Sequence, residues 1–136
     1  MNHLWWYLAR SSGLVAWALL MASLLIGVVA SAWVVRRPRA RRYILDLHPW
    51  LSGLAIGAVA LHVAAIVADS YVQISTTQAL VPFASPWRTT AVAWGTISLW
   101  LMVVVQVTSL ARRQLSRTAW HRIHVLSYLL GILATV

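Results

Sequence analysis

Residues 43–68 read YILDLHPWLSGLAIGAVALHVAAIVA, and this run decides the fold. It is 26 residues long and holds three ionisable side chains besides its opening tyrosine, Asp46, His48 and His62. A helix needs roughly 20 apolar residues to cross the hydrocarbon of a bilayer. Three further runs have that length: Gly13–Val35, Thr89–Leu110 and Ala119–Val136. The expectation is an all-α, integral membrane four-helix bundle in a single domain, residues 1–136, with helices at 13–35, 43–68, 89–110 and 119–136.

Composition supports this reading. Of 136 residues 61% are hydrophobic and 10% charged, where a soluble domain carries about 25% charged residues. A water-soluble globule of this size leaves too much surface wet to hide so many apolar side chains, which excludes a soluble enzyme. The net charge of +9 comes from eleven arginines against two acids. These arginines punctuate apolar runs and form no continuous face, which excludes a nucleic-acid binder. With no cysteine there is neither a disulfide nor a thiolate metal site. No GxGxxG or Walker sequence occurs, so the chain brings no nucleotide-binding loop of its own.

Arginine placement sets an expected orientation. Arg36, Arg37, Arg39, Arg41 and Arg42 lie between the first two spans, and Arg112, Arg113, Arg117 and Arg122 lie around the start of the fourth. Arg10 and Arg88 are the two on the opposite side. The positive-inside rule then puts both arginine-rich loops in the cytoplasm and the N-terminus and the Asp69–Trp87 loop outside, in a multi-pass protein of the plasma membrane. Trp5, Trp6, Tyr7, Trp33, Tyr43, Tyr71, Trp87 and Trp120 fall at the expected interfaces. Ala30-Ser31-Ala32 has the form of a signal-peptidase site, but its apolar run is long and arginines follow it, so the first span reads as a retained anchor. Thr76–Phe83 in the outer loop reads equally well as a short interfacial helix or as irregular chain. The fourth run, 18 residues or roughly 27 Å of helix, barely spans the hydrocarbon and reads as a truncated last helix.

The histidines carry the chemistry. Ionisable residues inside a membrane span face a cavity, a partner or a cofactor. His48 and His62 are 14 residues apart, which brings them within roughly 40° of one face and about 21 Å apart along a helix. That is too far for one metal ion and suits two haems stacked across the bilayer. His124 follows the interfacial Trp120 by four residues, much as His48 follows Tyr43 by five, so both are expected near the cytoplasmic leaflet. Two facing imidazoles fill both axial positions of a haem iron and favour electron transfer. The same residues also suit interhelical hydrogen bonding in a structural or assembly subunit, or a proton or ion path. Arg122 suits a haem propionate, guanidinium being matched to carboxylate, beside the topological role it shares with the other arginines, and the neighbouring His121 is expected either solvated or near that propionate. His3 reads as an exposed terminal residue, Asp46 as a helix-start charge, and Asp69 as a helix terminator.

Beyond these features, LDLHPWLSGLAIGAVALHVAAIVADSYV at 45–72, LVPFASPWR at 80–88, VAWG at 92–95 and WHRIHVLSYLLGILATV at 120–136 resemble the ferric-reductase-like transmembrane domain family. The family includes ferric reductases, NADPH oxidase membrane domains and the haem-binding membrane subunit of bacterial methionine sulfoxide reductase. The resemblance implies haem b held between two helices. His48 and His124 would form a complete ligand pair on the cytoplasmic side. His62 would serve an outer haem, whose second histidine would fall some 13 or 14 residues beyond His124, past Val136. It further implies electron transfer across the membrane from a separate reductase or the quinol pool to an outside acceptor or redox partner protein. The chain would then be the membrane module of an oxidoreductase without its own flavin or nicotinamide domain.

Overall fold

The computed structural model describes residues 3–32 and 37–135. Every regular element among them is helical: α1 Leu4–Ser31, α2 Pro38–Ala68, α3 Thr76–Leu80, α4 Thr89–Leu110, α5 Arg117–His124 and α6 Leu126–Leu133. The helices α1, α2 and α4 are each long and apolar enough to cross a membrane. In their most apolar stretches only 17%, 11% and 22% of the residues are buried. Leu14, Trp17 and Leu25 of α1 and Leu54 and Leu61 of α2 all face outward. Water does not tolerate such a surface, and a bilayer does, because lipid tails are as apolar as leucine. The protein is a membrane protein.

The chain divides into two compact units, Met1–Ala68 and Asp69–Val136. In the first, α1 and α2 pair as an antiparallel hairpin. The buried residues of α1 are small (Ser12, Ala16, Ser23 and Ala30) and so are those of α2, Ala55 and Ala65. Their i, i+4 and i+7 spacing on α1 makes one stripe of the helix. Small side chains let two backbones approach closely, which is how helices associate where no hydrophobic effect separates protein from solvent.

Both helices extend beyond their apolar cores. The first begins at Leu4, nine residues before the expected Gly13. Arg10, Ser11 and Ser12 interrupt the apolar run there without interrupting the helix. Ser11 and Ser12 hydroxyls donate to the Leu8 carbonyl, and the Arg10 guanidinium lies 4.2 Å from the Trp6 ring centroid. The expected end at Val35, with Trp33 and Arg36, lies outside the described residues. The second helix starts at Pro38, where a missing N–H costs nothing in a first turn.

In the second unit the Asp69–Trp87 connection does contain a helix. Ser75 Oγ accepts from the Gln78 N–H at 3.3 Å while Gln78 Oε1 accepts from the Ser75 N–H at 3.1 Å, a reciprocal capping box that starts α3. This helix is fastened to α4 by Thr96 Oγ1 donating to the Ala79 carbonyl (3.1 Å) and Trp100 Nε1 donating to that of Leu80 (2.9 Å). The third expected span coincides with α4. The fourth does not form one helix: α5 and α6 are eight residues each, separated at Val125. There the Tyr128 N–H bonds to the Val125 carbonyl, an i to i+3 closure that tightens the chain between them. The start also moves to Arg117, because Ser116 Oγ accepts from the Ala119 N–H at 3.2 Å and caps the helix. The end expected at Val136 lies outside the described residues.

The α1–α2 stripe yields a prediction. Ala16 is 4% exposed, so Ala16→Leu should overpack the hairpin and destabilise it by about 1–3 kcal/mol. Leu54, 57% exposed, should tolerate alanine within about 0.5 kcal/mol. Thermal unfolding in one detergent checks both.

Candidate haem-ligand site

The site is built from α2 against α1. His48 and His62 both point at α1, as their spacing requires of residues on one face. A Cβ added to Gly13 would stand 2.8 Å from His62 Cε1 and Nδ1, and one added to Gly27 would stand 3.3 Å from His48 Cε1. Gly13 and Gly27 are themselves 14 residues apart. Two antiparallel helices carrying the same repeat therefore meet twice, once near each end.

At each meeting the imidazole finds a backbone carbonyl. His62 Nδ1 lies 2.7 Å from the carbonyl oxygen of Ala9. His48 Nδ1 lies 3.0 Å from that of Ser23. A carbonyl oxygen only accepts, so Nδ1 carries a proton in both rings, and in the neutral imidazole Nε2 bears the lone pair.

His48 belongs to a directed chain of bonds. Ser52 Oγ donates to the His48 carbonyl at 2.8 Å, which uses its one proton. In the 2.8 Å contact between the hydroxyls of Ser23 and Ser52, Ser23 is then the donor. Its oxygen is left to accept from His48 Nδ1–H at 3.2 Å, alongside its own carbonyl. The path from His48 through Ser23 and Ser52 returns to His48, leaving each polar hydrogen with a partner. In a hydrocarbon environment such closure is what a polar side chain requires.

The second unit holds the other expected site residues. His124 closes α5; its Nδ1 lies 3.3 Å from Ser109 Oγ on α4. Its ring stacks on Trp120 with centroids 4.9 Å apart and planes at 21°. Arg122 is exposed and lines an open cleft of about 400 Å³ with Arg117, Thr118, Trp120 and His121. The Trp120 indole N–H is buried without a hydrogen-bond partner. His3 and Asp46 are exposed. Asp69 Oδ2 accepts from the Val72 N–H at 3.4 Å, which turns the chain after α2.

Sequence reading located the histidines and missed their holders: Ala9, Gly13, Ser23, Gly27, Ser52 and Ser109. The signal was present in Gly13 and Gly27, whose interval repeats that of His48 and His62. Among the described residues no three His, Cys, Asp or Glu side chains converge on one point. Axial ligation of a haem asks for one imidazole nitrogen on each face of the iron, and it asks that nitrogen to be deprotonated. His48 and His62 meet the second requirement through their carbonyl partners.

No curated protein and no solved structure matches the chain. The family model for the ferric reductase like transmembrane component matches residues 12–135, which takes in α2 to α6 whole and the last 20 of the 28 residues of α1. A hydrophobic chain of membrane-crossing helices with paired histidines, matched over that length, belongs to the ferric reductase-like transmembrane family.

Proposed function

We propose that this chain binds b-type haem and carries electrons across the membrane, from a cytoplasmic or quinol donor to an acceptor outside. The observation that carries this reading is the state of the α2 imidazoles: His48 and His62 each have Nδ1–H committed to a backbone carbonyl, which leaves Nε2 as the ligand atom. Family membership supplies the prior that such nitrogens meet haem iron.

In this reading His48 and His124 would hold the cytoplasmic-side haem, and His62 would help hold an outer haem. Arg122, exposed on α5, is assigned to a haem propionate. When bound, haem supplies a one-electron couple at iron. The chain's own residues orient the imidazoles and fix their protons, and its apolar exterior keeps water from the rings. Ser109 and the Trp120 ring hold His124 from two sides. The four apolar runs would cross the plasma membrane as one bundle with the N-terminus outside, the last crossing being built from α5 and α6. A separate reductase or the quinol pool delivers electrons, and an outside redox partner removes them.

A second reading has specific support. The bonds from His48 to Ser23 and from His62 to Ala9 are interhelical, as a purely structural role for these histidines requires. Pigment separates the two. The purified protein, expressed with ample haem, should give a low-spin b-type reduced-minus-oxidised spectrum. His48→Ala and His124→Ala should each abolish the cytoplasmic-side contribution. A colourless wild-type protein would leave the structural reading.

Orientation is tested separately, since the chain has no cysteine of its own. Thr77→Cys in α3 and Gln114→Cys between α4 and α5 both replace exposed residues. A membrane-impermeant maleimide should label position 77 in intact cells, and position 114 only after permeabilisation. The reverse pattern inverts the topology.

A further inference from the structure

We propose that α1 is the positioning helix for both α2 histidines. It carries two sockets, Gly13 with the Ala9 carbonyl and Gly27 with the Ser23 carbonyl, that hold His62 and His48 in the Nδ1–H tautomer. What their Nε2 atoms then bind rests on the haem reading; the sockets themselves do not.

The two sockets share one construction. In each, the accepting carbonyl belongs to the residue four before the glycine: Ala9 before Gly13, Ser23 before Gly27. Side chains on an α-helix lean toward its N-terminus, so the residue at position i covers the turn beneath it. That turn includes the carbonyl of residue i−4. Glycine leaves it open, and an imidazole from the facing helix enters the gap. A helix carbonyl has a second lone pair after its own i+4 bond, so accepting the imidazole N–H leaves the helix intact. Close approach alone is not the reason for these glycines. A Cβ on Gly53, Gly57 or Gly95 would meet nothing within 4 Å, and these three face no ring.

The sockets differ in tightness. At Gly13 an added methyl would stand 2.8 Å from two ring atoms of His62, which forces the ring out. At Gly27 the nearest ring atom would be 3.3 Å away, which His48 accommodates by a small retreat. Retreat lengthens the Nδ1–H to carbonyl bond. That bond gives the imidazole partial anionic character, strengthens Nε2 as a donor and favours ferric iron. Weakening it should raise the midpoint potential of the haem so ligated and loosen the haem.

The test uses the whole chain with ¹⁵N-labelled histidine, first without haem and then loaded. In the haem-free protein, His48 and His62 should show Nδ1 protonated and Nε2 bare, the reverse of the tautomer favoured by free histidine. Gly13→Ala should abolish this signature for His62 and leave His48 alone. Gly27→Ala should weaken it for His48, and Gly57→Ala should change neither. Ser23→Ala, which removes a hydroxyl and keeps the carbonyl, should leave the His48 tautomer in place. In loaded protein Gly27→Ala should raise the midpoint of the haem at His48 and weaken its retention, and Gly13→Ala should leave both unchanged.

Nε2-protonated rings in the wild-type protein would overturn the proposal. So would a Gly13→Ala protein indistinguishable from Gly57→Ala. If Gly13→Ala does not fold, Gly27→Ala decides alone: an unchanged His48 tautomer and an unchanged potential overturn the sockets. A colourless wild-type protein that keeps both Nδ1–H tautomers removes the haem reading and upholds the sockets.

Discussion

The bond from an imidazole Nδ1–H to a helix carbonyl is the constraint on which the first unit depends. At 2.7 Å for His62 and 3.0 Å for His48, it sets how closely α1 and α2 approach and in which register they lie. Shifting one helix by a residue turns both histidines away from both glycines at once, because the two intervals are equal. In lipid an imidazole stripped of its partner has no water to turn to. A hydrogen bond between transmembrane helices contributes on average only about 0.6 kcal/mol. Its larger effect lies in what it excludes: other registers, other ring orientations and the other tautomer.

The three histidines of interest are not held alike. His62 makes one short bond to a backbone acceptor. His48 adds two hydroxyls and closes a circuit through Ser23 and Ser52. Both partners are carbonyls with no proton to give, so both rings have a fixed proton. His124 faces a serine hydroxyl, which donates or accepts with equal ease, and its orientation owes more to the Trp120 ring stacked on it. The tautomers of the two α2 rings are thus fixed by geometry, whereas a serine hydroxyl leaves either tautomer open to His124.

Much of this was legible in the sequence, and the residues show why the rest was not. Apolar run lengths located α2 and α4 well, since lipid exposure leaves a signal that no soluble context dilutes. The start of α1 was missed because hydropathy registers Arg10, Ser11 and Ser12 as polar, while the helix satisfies them with its own carbonyls and the Trp6 ring. The shared face of His48 and His62 follows from periodicity alone. What faces them does not: pairing α1 with α2 is a tertiary fact, and Gly13 and Gly27 have no chemistry to draw attention. Only the equal intervals link the two pairs, and an interval acquires meaning once the helices are known to be antiparallel.

The divided fourth run shows the same limit from another side. Averaged over its length, Ala119–Val136 is apolar enough to be taken for one span. Its residues are not evenly mixed. His121, Arg122 and His124 crowd the first half, and the second half, LSYLLGIL, has none of them. The first half is strongly amphipathic and the second mostly apolar, with Ser127 and Tyr128 as its polar side chains, so the two suit different depths. Val125, itself in a helical conformation, falls where one character gives way to the other, and the i to i+3 bond from the Tyr128 N–H to its carbonyl tightens the first turn of α6. His124 is the last residue of the polar half. A histidine at that boundary has a charged stretch of chain before it and an apolar stretch after it.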